Sequence, residues 1–448
     1  MKLWKWLVGL FFLLVIVDGG LRKWIFPGYP TFFLVLKDMV LWGGFALYSL
    51  QRSPTELPRP LRKTWAPVLL GAYIFVVLLQ ASNLRQPSLG ASLVGLKAHL
   101  AYLPLVILLP ALIIQTTERQ MNQLLWGYAI CVFLPVVALS VYQFYQPPTA
   151  WINTYVRRTE LIDTLTAEHV RVTGTFPYIG SYTPYLLVNA FLSASTLLAG
   201  LRWNRRDLTV LGTTFLIAVL VVLPMTGSRS TVATTVGAVV ALLLVTKAGA
   251  RKRLRFLGVA AAVVFVVVQG GVGLGLTEGW EAFQQRVERA GGTEAAEGRT
   301  LKILGGPIEG LERAGLFGYG VGTAHQATSR FVPGASGYSW LPEGYIENGT
   351  ARVFIEIGVI GWLVLMALKG TLLYLAYQTV QRSRRPHHLI IGGTAFCMLL
   401  SKLVLPVVFN VVTSAFYWGT AGAMLGVWSL QHVRLTQSLA SLKASVRA

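Results

Sequence analysis

Long apolar runs follow one another along most of this chain, and they constrain its fold more than any other feature. About 20 apolar residues cross a bilayer, and runs of that length recur between short polar connections. With 54% hydrophobic and 13% charged residues among 448, the chain has more apolar surface than a soluble core could bury. The sequence therefore predicts an all-α, polytopic membrane protein.

Twelve of these runs are predicted to be membrane-spanning helices. They lie near residues 5–24, 31–50, 64–82, 92–114, 123–145, 178–200, 207–226, 230–247, 254–276, 351–379, 387–408 and 411–430. The first run lacks a small-residue cleavage site, so we interpret it as a signal anchor. Cys131 and Cys397 both fall inside spans, which predicts neither a disulfide framework nor a metal site.

The positive charges indicate the orientation of the spans. A net charge of +21 could indicate nucleic-acid binding, but the Lys and Arg residues cluster in short connections between apolar runs, which is typical of topology signals. With a cytoplasmic N-terminus, the basic connections at 52–63, 202–206, 247–255 and 382–385 all face the cytoplasm. The C-terminus is then cytoplasmic too, and no nucleic-acid partner is predicted.

This orientation places two longer polar segments outside the cell membrane, at 146–177 and 277–350. The predicted organisation has helices 1–9 in residues 1–276, interrupted by the shorter outward loop, and one large extracytoplasmic loop domain at 277–350. Helices 10–12 follow in residues 351–430, and residues 431–448 form a cytoplasmic tail. Chemistry on water-soluble groups needs a site outside the hydrocarbon, so we expect a site at the outward segments.

Arg229 lies at the outward junction between the seventh and eighth predicted spans, in Met225-Thr-Gly-Ser-Arg-Ser-Thr231. An arginine near the hydrocarbon costs up to roughly 2.5–3.5 kcal/mol at a helix centre and less at its edge. A bound anion would offset that cost. The alternative is an interfacial arginine that reaches the lipid headgroups.

Further arginines lie in the outward segments, where guanidinium groups could bind a lipid-linked pyrophosphate through paired hydrogen bonds. For Arg286, Arg289 and Arg313, which lie among glutamates at helical spacing, we favour ion pairs within a helix. Arg299 differs because it begins a helix-like run that ends in a glycine-rich turn at 315–322. In the first outward segment, Arg157, Arg158 and Arg171 occur with aromatic residues, which suits sugars and phosphates or equally an interfacial anchor belt.

Glu343 and Glu347 precede the tenth predicted span. A carboxylate partly withdrawn from water can accept a proton from a hydroxyl group, whereas the alternative is a helix N-terminal carboxylate or an ion-pair partner of Arg352. His325 stands alone, and the outward segments contain no metal-binding pattern. No metal or other cofactor is therefore predicted.

Several of these features together resemble the O-antigen ligase and O-antigen polymerase (Wzy) superfamily: Thr226-Gly-Ser-Arg229, the long outward loop, Gly315 to Gly322 and Glu356-Ile-Gly-Val-Ile-Gly361. The resemblance implies a GT-C-like membrane enzyme of the bacterial inner membrane whose active site faces the periplasm or exterior. Such an enzyme takes a glycan from undecaprenyl pyrophosphate and transfers it to a glycan acceptor, with inversion and without metal.

The resemblance also implies roles for single residues. Arg229 and Arg299 correspond to two arginines that hold the pyrophosphate, and Glu347-Asn348 stands where ligases typically carry His-Asn. Glutamate at that position favours a polymerase of O-antigen or exopolysaccharide repeats, with Glu347 as the base. The predicted catalytic residues are Glu347, Arg229 and Arg299, and the predicted substrate-binding residues are Arg157, Arg158, Arg171, Arg286, Arg289, His325, Glu343 and Asn348.

Three other functions stay open at this point. The first is a ligase that attaches the glycan to lipid A core. The second is a flippase for lipid-linked oligosaccharide, which interior lysines such as Lys37, Lys97 and Lys402 would suit. The third is an assembly subunit of an export complex. Expected partners of an enzyme are the undecaprenyl pyrophosphate-linked glycan, the acceptor, membrane lipids, and a chain-length regulator or a flippase.

Overall fold

The structure of the protein is a computed structural model, and it describes residues 2–51, 59–156, 163–166, 168–247, 249–272, 278–289, 305–332 and 348–445. Within these ranges the chain forms helices and turns, with one isolated bridge between Thr164 and Val170 and no strand. The helices are α1 (Leu3–Gly20), α2 (Pro30–Gln51), α3 (Arg59–Arg62), α4 (Ala66–Ala81), α5 (Leu89–Leu100), α6 (Leu105–Ile114), α7 (Glu118–Tyr128), α8 (Leu134–Phe144), α9 (Ile179–Trp203), α10 (Arg206–Met225), α11 (Arg229–Val245), α12 (Ala250–Val272), α13 (Glu278–Arg289), α14 (305–314), α15 (Gly349–Gln381), α16 (Pro386–Ser401) and α17 (Val411–Ser445).

Helices long and apolar enough to cross a membrane make up much of the described chain. Seven helical segments meet that description: Leu3–Ile25, Thr31–Gln51, Leu89–Ile114, Glu118–Phe144, Ile179–Trp203, Arg206–Met225 and Gly349–Gln381. The shorter apolar helices α4 and α11 accompany them. This architecture is that of a polytopic, all-helical membrane protein, as the sequence predicts.

Helix α9 lies at the centre of the bundle. It packs against α10, α16 and α17, and most of its length is buried. Small side chains let these helices approach closely, because a Cβ on Gly212 of α10 would lie 2.4 Å from the backbone nitrogen of Leu197. Aromatic side chains such as Tyr182 and Tyr185 fill the space around α9 towards one end of the bundle.

One end of the bundle gathers the longer connections, and we call it the loop face. Lys23, just beyond α1, donates to the Thr173 hydroxyl at 2.7 Å, and Asn410, just before α17, donates to the Gly180 carbonyl at 2.9 Å. Residues 320–325 lie here as well, because the Ala324 carbonyl contacts Arg352 near the start of α15. The ends of several helices therefore meet the connecting segments at this face.

The opposite end of the bundle gathers the short basic connections. Arg202 donates to the Ser383 carbonyl at 3.2 Å, Lys252 donates to the Arg202 carbonyl at 2.5 Å, and Arg385 forms an ion pair with Glu118 at 2.6 Å. Three of the four basic connections that the sequence groups on one side thus meet at one end of the structure. We call it the basic face.

Candidate functional site

Two glycine-containing motifs pack against each other. Gly358 has a φ of 66°, which interrupts the helical geometry of α15, and Gly318 has a φ of 70°. A Cβ on Gly318 would lie 2.6 Å from the Gly358 nitrogen, and the Tyr319 N–H donates to the Ile355 carbonyl at 2.7 Å. Only glycine tolerates both this contact and this backbone conformation. Residues 315–322 are thus a structural turn seated on a kink in α15.

Two glutamine side chains hold the other side of this turn. Gln80, in α4, donates to the Phe317 carbonyl at 2.5 Å, and Gln86 donates to the Val321 carbonyl at 2.8 Å. Gly322 packs directly against the Ala91 carbonyl in α5. Backbone carbonyls buried away from water need such donors. The turn is therefore clamped between α4 and α5 on one side and α15 on the other.

A chain of buried polar side chains lies beneath the turn. The Tyr73 hydroxyl lies 2.7 Å from His99 Nδ1, and His99 Nε2 lies 2.7 Å from Glu356 Oε2. Glu356 Oε1 accepts a hydrogen bond from the Ala324 N–H at 3.2 Å, and the Arg352 guanidinium donates to the Ala324 carbonyl. The N–H and the carbonyl of Ala324 are thus both bound by side chains of α15. These contacts fix the position of the next residue, His325.

His325 lies in the wall of a cavity of about 470 Å³ at the loop face. The cavity is bounded by α1, α2, α5, α9, α17 and residues 325–331. Its apolar walls include Val15, Leu34, Val94, Val408, Phe409 and Val412, and its charged side chains are Asp18, Arg22, Lys37, Lys97 and Arg330. Cations thus outnumber carboxylates in the wall, and an amphiphilic anion matches both its charge and its apolar area.

Burial determines the charge state of His325. Removal from water lowers the pKa of the His325 ring below its usual 6.5, and nearby Glu356 opposes that shift while Arg352, His99 and Lys97 add to it. The ring is therefore neutral at pH 7. The Ala327 N–H donates to His325 Nδ1 at 3.1 Å, so the neutral ring carries its proton on Nε2 and can donate a hydrogen bond to a ligand in the cavity.

The ion pairs among the described residues of the cavity wall satisfy Lys37 and Lys97 but leave Arg22 with little compensation. Lys37 Nζ lies 2.5 Å from Asp18 Oδ2, whereas Arg22 Nη1 lies 3.7 Å from the same oxygen. Lys97 pairs with Asp38 at 2.7 Å. Asp18 therefore pairs mainly with Lys37, and the N–H groups of the Arg22 side chain make no hydrogen bond with the described residues.

Three of the predicted arginines meet around one turn at residues 226–229, which we call the arginine turn. Arg171 Nε donates to the Thr226 carbonyl at 2.9 Å. Arg286 donates to the Thr164 carbonyl at 3.3 Å, and its Cδ packs against Gly227. Arg229, half-buried, is the first residue of α11 and makes no ion pair or hydrogen bond with the described residues.

Other predicted site residues have different surroundings. Asn348 is the N-cap of α15, where its side chain accepts from the Thr350 and Ala351 N–H groups, and Arg289 is the last residue of α13. Arg313, for which we expected a helical ion pair, lies 3.4 Å from Glu309. The remaining predicted residues lie outside the described part of the chain: Arg157, Arg158, Arg299, Glu343 and Glu347.

Sequence reasoning did not find the contact between His99 and Glu356, nor the places of Asp18 and Arg22 in the cavity wall. His99 and Arg22 carried one available signal, because both are ionisable residues inside or at the edge of an apolar run. Within the described ranges, no three His, Cys, Asp or Glu side chains lie close enough to hold a metal ion.

No known protein family matches this sequence, and no curated protein matches it. The arrangement of these side chains is therefore the basis for assigning a function.

Proposed function

We propose that this protein transfers a glycan from undecaprenyl pyrophosphate to a glycan acceptor, and that it polymerises O-antigen or exopolysaccharide repeat units. The observation that carries the proposal is the arginine turn. Arg171, Arg229 and Arg286 come from three separate parts of the chain and surround one turn at the loop face. Arg171 contacts this turn through Nε, Arg286 packs its Cδ against it, and Arg229 is its last residue. Three arginines gathered at one turn suit a diphosphate, which guanidinium groups bind through paired hydrogen bonds.

The reaction we propose is a direct displacement with inversion. An acceptor hydroxyl oxygen attacks the anomeric carbon of the donor sugar, and the bond from that carbon to the pyrophosphate oxygen breaks. The electron pair leaves with the pyrophosphate, where Arg229 and Arg299 stabilise the growing negative charge. Glu347 takes the proton of the hydroxyl group. Arg299 and Glu347 keep these roles as predictions, since both lie outside the described residues.

The arginine turn extends the set of groups around the leaving pyrophosphate. Arg286 donates to the Thr164 carbonyl and packs against Gly227 of the turn, and Arg171 donates to the Thr226 carbonyl of the same turn. Arg171 also forms an ion pair with Asp163 at 3.2 Å. We therefore assign Arg171 to holding the turn in place rather than to binding the diphosphate. Arg229 and Arg286 are the described residues that we assign to the diphosphate.

We further propose that the chain crosses the bacterial inner membrane twelve times with the loop face outward, in a GT-C-like arrangement. The grouping of the basic connections at the opposite end supports this orientation, because basic loops favour the cytoplasm. Both termini are then cytoplasmic, and the active site faces the periplasm.

A flippase is the second candidate, because Lys37 and Lys97 both line the cavity. Transporter sites typically lie near the bilayer midplane, where each side of the membrane can reach them in turn. The wall here is built from the loop-face parts of the helices, such as residues 15–22 of the first helical segment and 408–412 before and at the start of α17. That one-sided position favours a transferase.

The test is turnover by the purified protein in liposomes. The substrate is the undecaprenyl pyrophosphate-linked repeat unit extracted from the producing bacterium, with no nucleotide and with EDTA present. We expect products that contain two or more repeats on one lipid, detected by mass spectrometry. Addition of lipid A core would reveal a ligase, and movement of the lipid between leaflets without a covalent product would contradict the proposal in favour of a flippase.

A further inference from the structure

We propose that the cavity at the loop face is a second anionic-lipid site, in which Arg22 binds the phosphate groups of the lipid-linked acceptor. The identification of the ligand as the acceptor rests on the proposed function. The existence of a phosphate site at Arg22 rests on the cavity itself.

Arg22 has hydrogen-bonding capacity that the described residues do not use. The residue is 9% exposed, it lines the cavity, and its Nε has no hydrogen-bond partner within the described part of the chain. Its Nη1 lies 3.7 Å from Asp18, which is too long for a hydrogen bond. A buried donor without a partner is costly. The terminal nitrogens of the guanidinium also make no hydrogen bond with the described residues, and they are the atoms that would donate to a phosphate oxygen in the cavity.

The local structure holds Arg22 in place. It belongs to a π-helical turn, Leu21–Ile25, that continues α1, and such turns occur frequently at functional sites. A Cβ on Gly19 would lie 2.4 Å from the Pro177 nitrogen, so the end of α1 lies directly against the connection that leads to α9. The neighbouring Lys23 is tied to Thr173 at 2.7 Å. The guanidinium is therefore positioned before any ligand arrives, which lowers the entropic cost of binding.

The charge of the wall favours an anion. Among the residues that the structure describes, four cations line the cavity, Arg22, Lys37, Lys97 and Arg330, while the carboxylates are Asp18 in the wall and Asp38 behind Lys97. Two positive charges thus remain after each carboxylate is matched with one cation. A diphosphate would balance them. The apolar side chains of the same wall would contact the first isoprene units of its lipid.

The cavity and the arginine turn are separate sites. None of the residues at 226–229, nor Arg171 or Arg286, lines the cavity. A polymerase that joins two lipid-linked glycans must hold two diphosphates at once, one leaving from the donor and one remaining on the acceptor. Two cationic sites at one face match that requirement, whereas a protein that moves one lipid at a time needs a single site.

The experiment counts bound lipids by native mass spectrometry of the purified protein in detergent, with farnesyl pyrophosphate as the probe. We expect two molecules on the wild-type protein, one on Arg22→Gln, one on Arg229→Gln and none on the double variant. Arg119→Gln, an exposed arginine of α7, is the matched control and should keep two. Loss of a charged hydrogen bond should weaken the cavity site by about tenfold or more.

A second variant separates a binding role from a structural one. Asp18→Asn removes the carboxylate that competes for Arg22 and Lys37, so it should bind farnesyl pyrophosphate more tightly at the cavity site. A purely structural role of Arg22 predicts weaker binding in both variants. Inorganic pyrophosphate should compete at the same site but more weakly, because it lacks the apolar chain.

Two bound farnesyl pyrophosphate molecules on Arg22→Gln would overturn the inference, and so would weaker binding of farnesyl pyrophosphate by Asp18→Asn. Equal loss of phosphatidylglycerol and farnesyl pyrophosphate in Arg22→Gln would also overturn it, because it would indicate a general phospholipid site. The proposed function fails separately. If Arg22→Gln loses one farnesyl pyrophosphate but the wild-type protein extends no glycan, the phosphate site stands and the polymerase does not. If Arg22→Gln loses one farnesyl pyrophosphate but polymerises like the wild type at limiting acceptor, the cavity does not hold the acceptor and the inference fails while the proposed function stands.

Discussion

His99 Nε2 lies 2.7 Å from Glu356 Oε2, although the two residues are 257 positions apart in the sequence. Both side chains are completely buried. Every polar atom of the pair has a partner, because Tyr73 contacts the second ring nitrogen and the Ala324 N–H donates to the second carboxylate oxygen. The pair therefore joins α5 and α15 to the segment that carries His325, and it couples the packing of the bundle to the cavity wall.

Loss of the Glu356 carboxylate should destabilise the protein strongly. Glu356→Ala leaves His99 and the Ala324 N–H without their buried partner, and breaking a buried pair in this way costs about 3–5 kcal/mol. Glu356→Gln keeps an acceptor and should cost less. Unfolding by SDS titration in detergent measures the difference.

The control for this prediction is Glu309→Ala. Glu309 pairs with Arg313 on the surface of α14 at 3.4 Å, and a pair of this kind on a helix contributes about 0.5 kcal/mol or less. Equal unfolding free energies for Glu356→Ala and Glu309→Ala would show that the buried pair does not hold the bundle together.

Gly318 offers a test of the packed turn, with Gly315 as its matched control. Both have positive φ angles, 70° and 61°, so alanine at either position costs roughly 1–2 kcal/mol in backbone strain. Only at Gly318 would the new Cβ meet backbone atoms of α15, the nearest at 2.6 Å, whereas no described residue lies within 4 Å of a Cβ at Gly315. Gly318→Ala should therefore be the more destabilising by about 1–3 kcal/mol, measured by the same titration. Equal losses would mean that the turn and α15 do not pack together.

The sequence was a good guide to the helices. The predicted spans at 5–24, 178–200 and 207–226 correspond to Leu3–Ile25, Ile179–Trp203 and Arg206–Met225, because long apolar runs carry their own signal. The predicted span at 92–114 contains two helices, α5 and α6, joined by turns at 101–104. Pro104, which lacks an N–H group, immediately precedes α6.

The sequence was a weaker guide to the contacts. Arg286 was expected to pair with glutamates of its own helix, but it reaches the Thr164 carbonyl, 122 positions away. The sequence did not indicate that the side-chain oxygen of Asn348 caps α15, and its substrate-binding role stays a prediction. His99 is marked as an ionisable residue in an apolar run, but no sequence pattern indicates its partner, because Glu356 lies on another helix. Local spacing reports neighbours along a helix, whereas these contacts depend on how the helices pack.

The pH dependence of stability should reveal the burial of His325. Its pKa is lowered in the folded protein, while in the unfolded chain it stays near 6.5. Between these two values the unfolded state binds more protons, so stability rises with pH through that window. The stability from the neutral ring is fully present above about pH 6.5 and is lost as the pH falls towards the folded-state pKa.

Comparison with His325→Gln isolates this effect, because Glu356, Arg352, His99 and Lys97, the charged or titratable groups that act on the ring, are common to both proteins. The unfolding free energy of the wild type minus that of the variant should decrease as the pH is lowered from 7.5 to 5. A difference that stays constant over this range would contradict the burial of a neutral ring.

Arg229→Ala and Arg299→Ala should abolish polymer formation while membrane insertion stays intact. Removal of one preorganised donor from a transition state with growing negative charge typically costs about a hundredfold or more in rate. We expect Arg286→Ala to slow the reaction too, because Arg286 packs against Gly227 in the same turn. Glycan ladders on gels, normalised to the amount of protein in the membrane fraction, measure the effect.

Arg229→Lys and Arg119→Ala sharpen this test. Lysine keeps the charge of Arg229 but not the paired donors that match a phosphate, so Arg229→Lys should give partial activity if the group acts on the diphosphate. Arg119 is exposed on α7, whose neighbour Glu118 pairs with Arg385 at the basic face, and its loss should leave the ladders unchanged. Ladders of wild-type length and intensity from Arg229→Ala would remove the arginine turn from the mechanism, because a guanidinium that stabilises the leaving diphosphate cannot be dispensable for its departure.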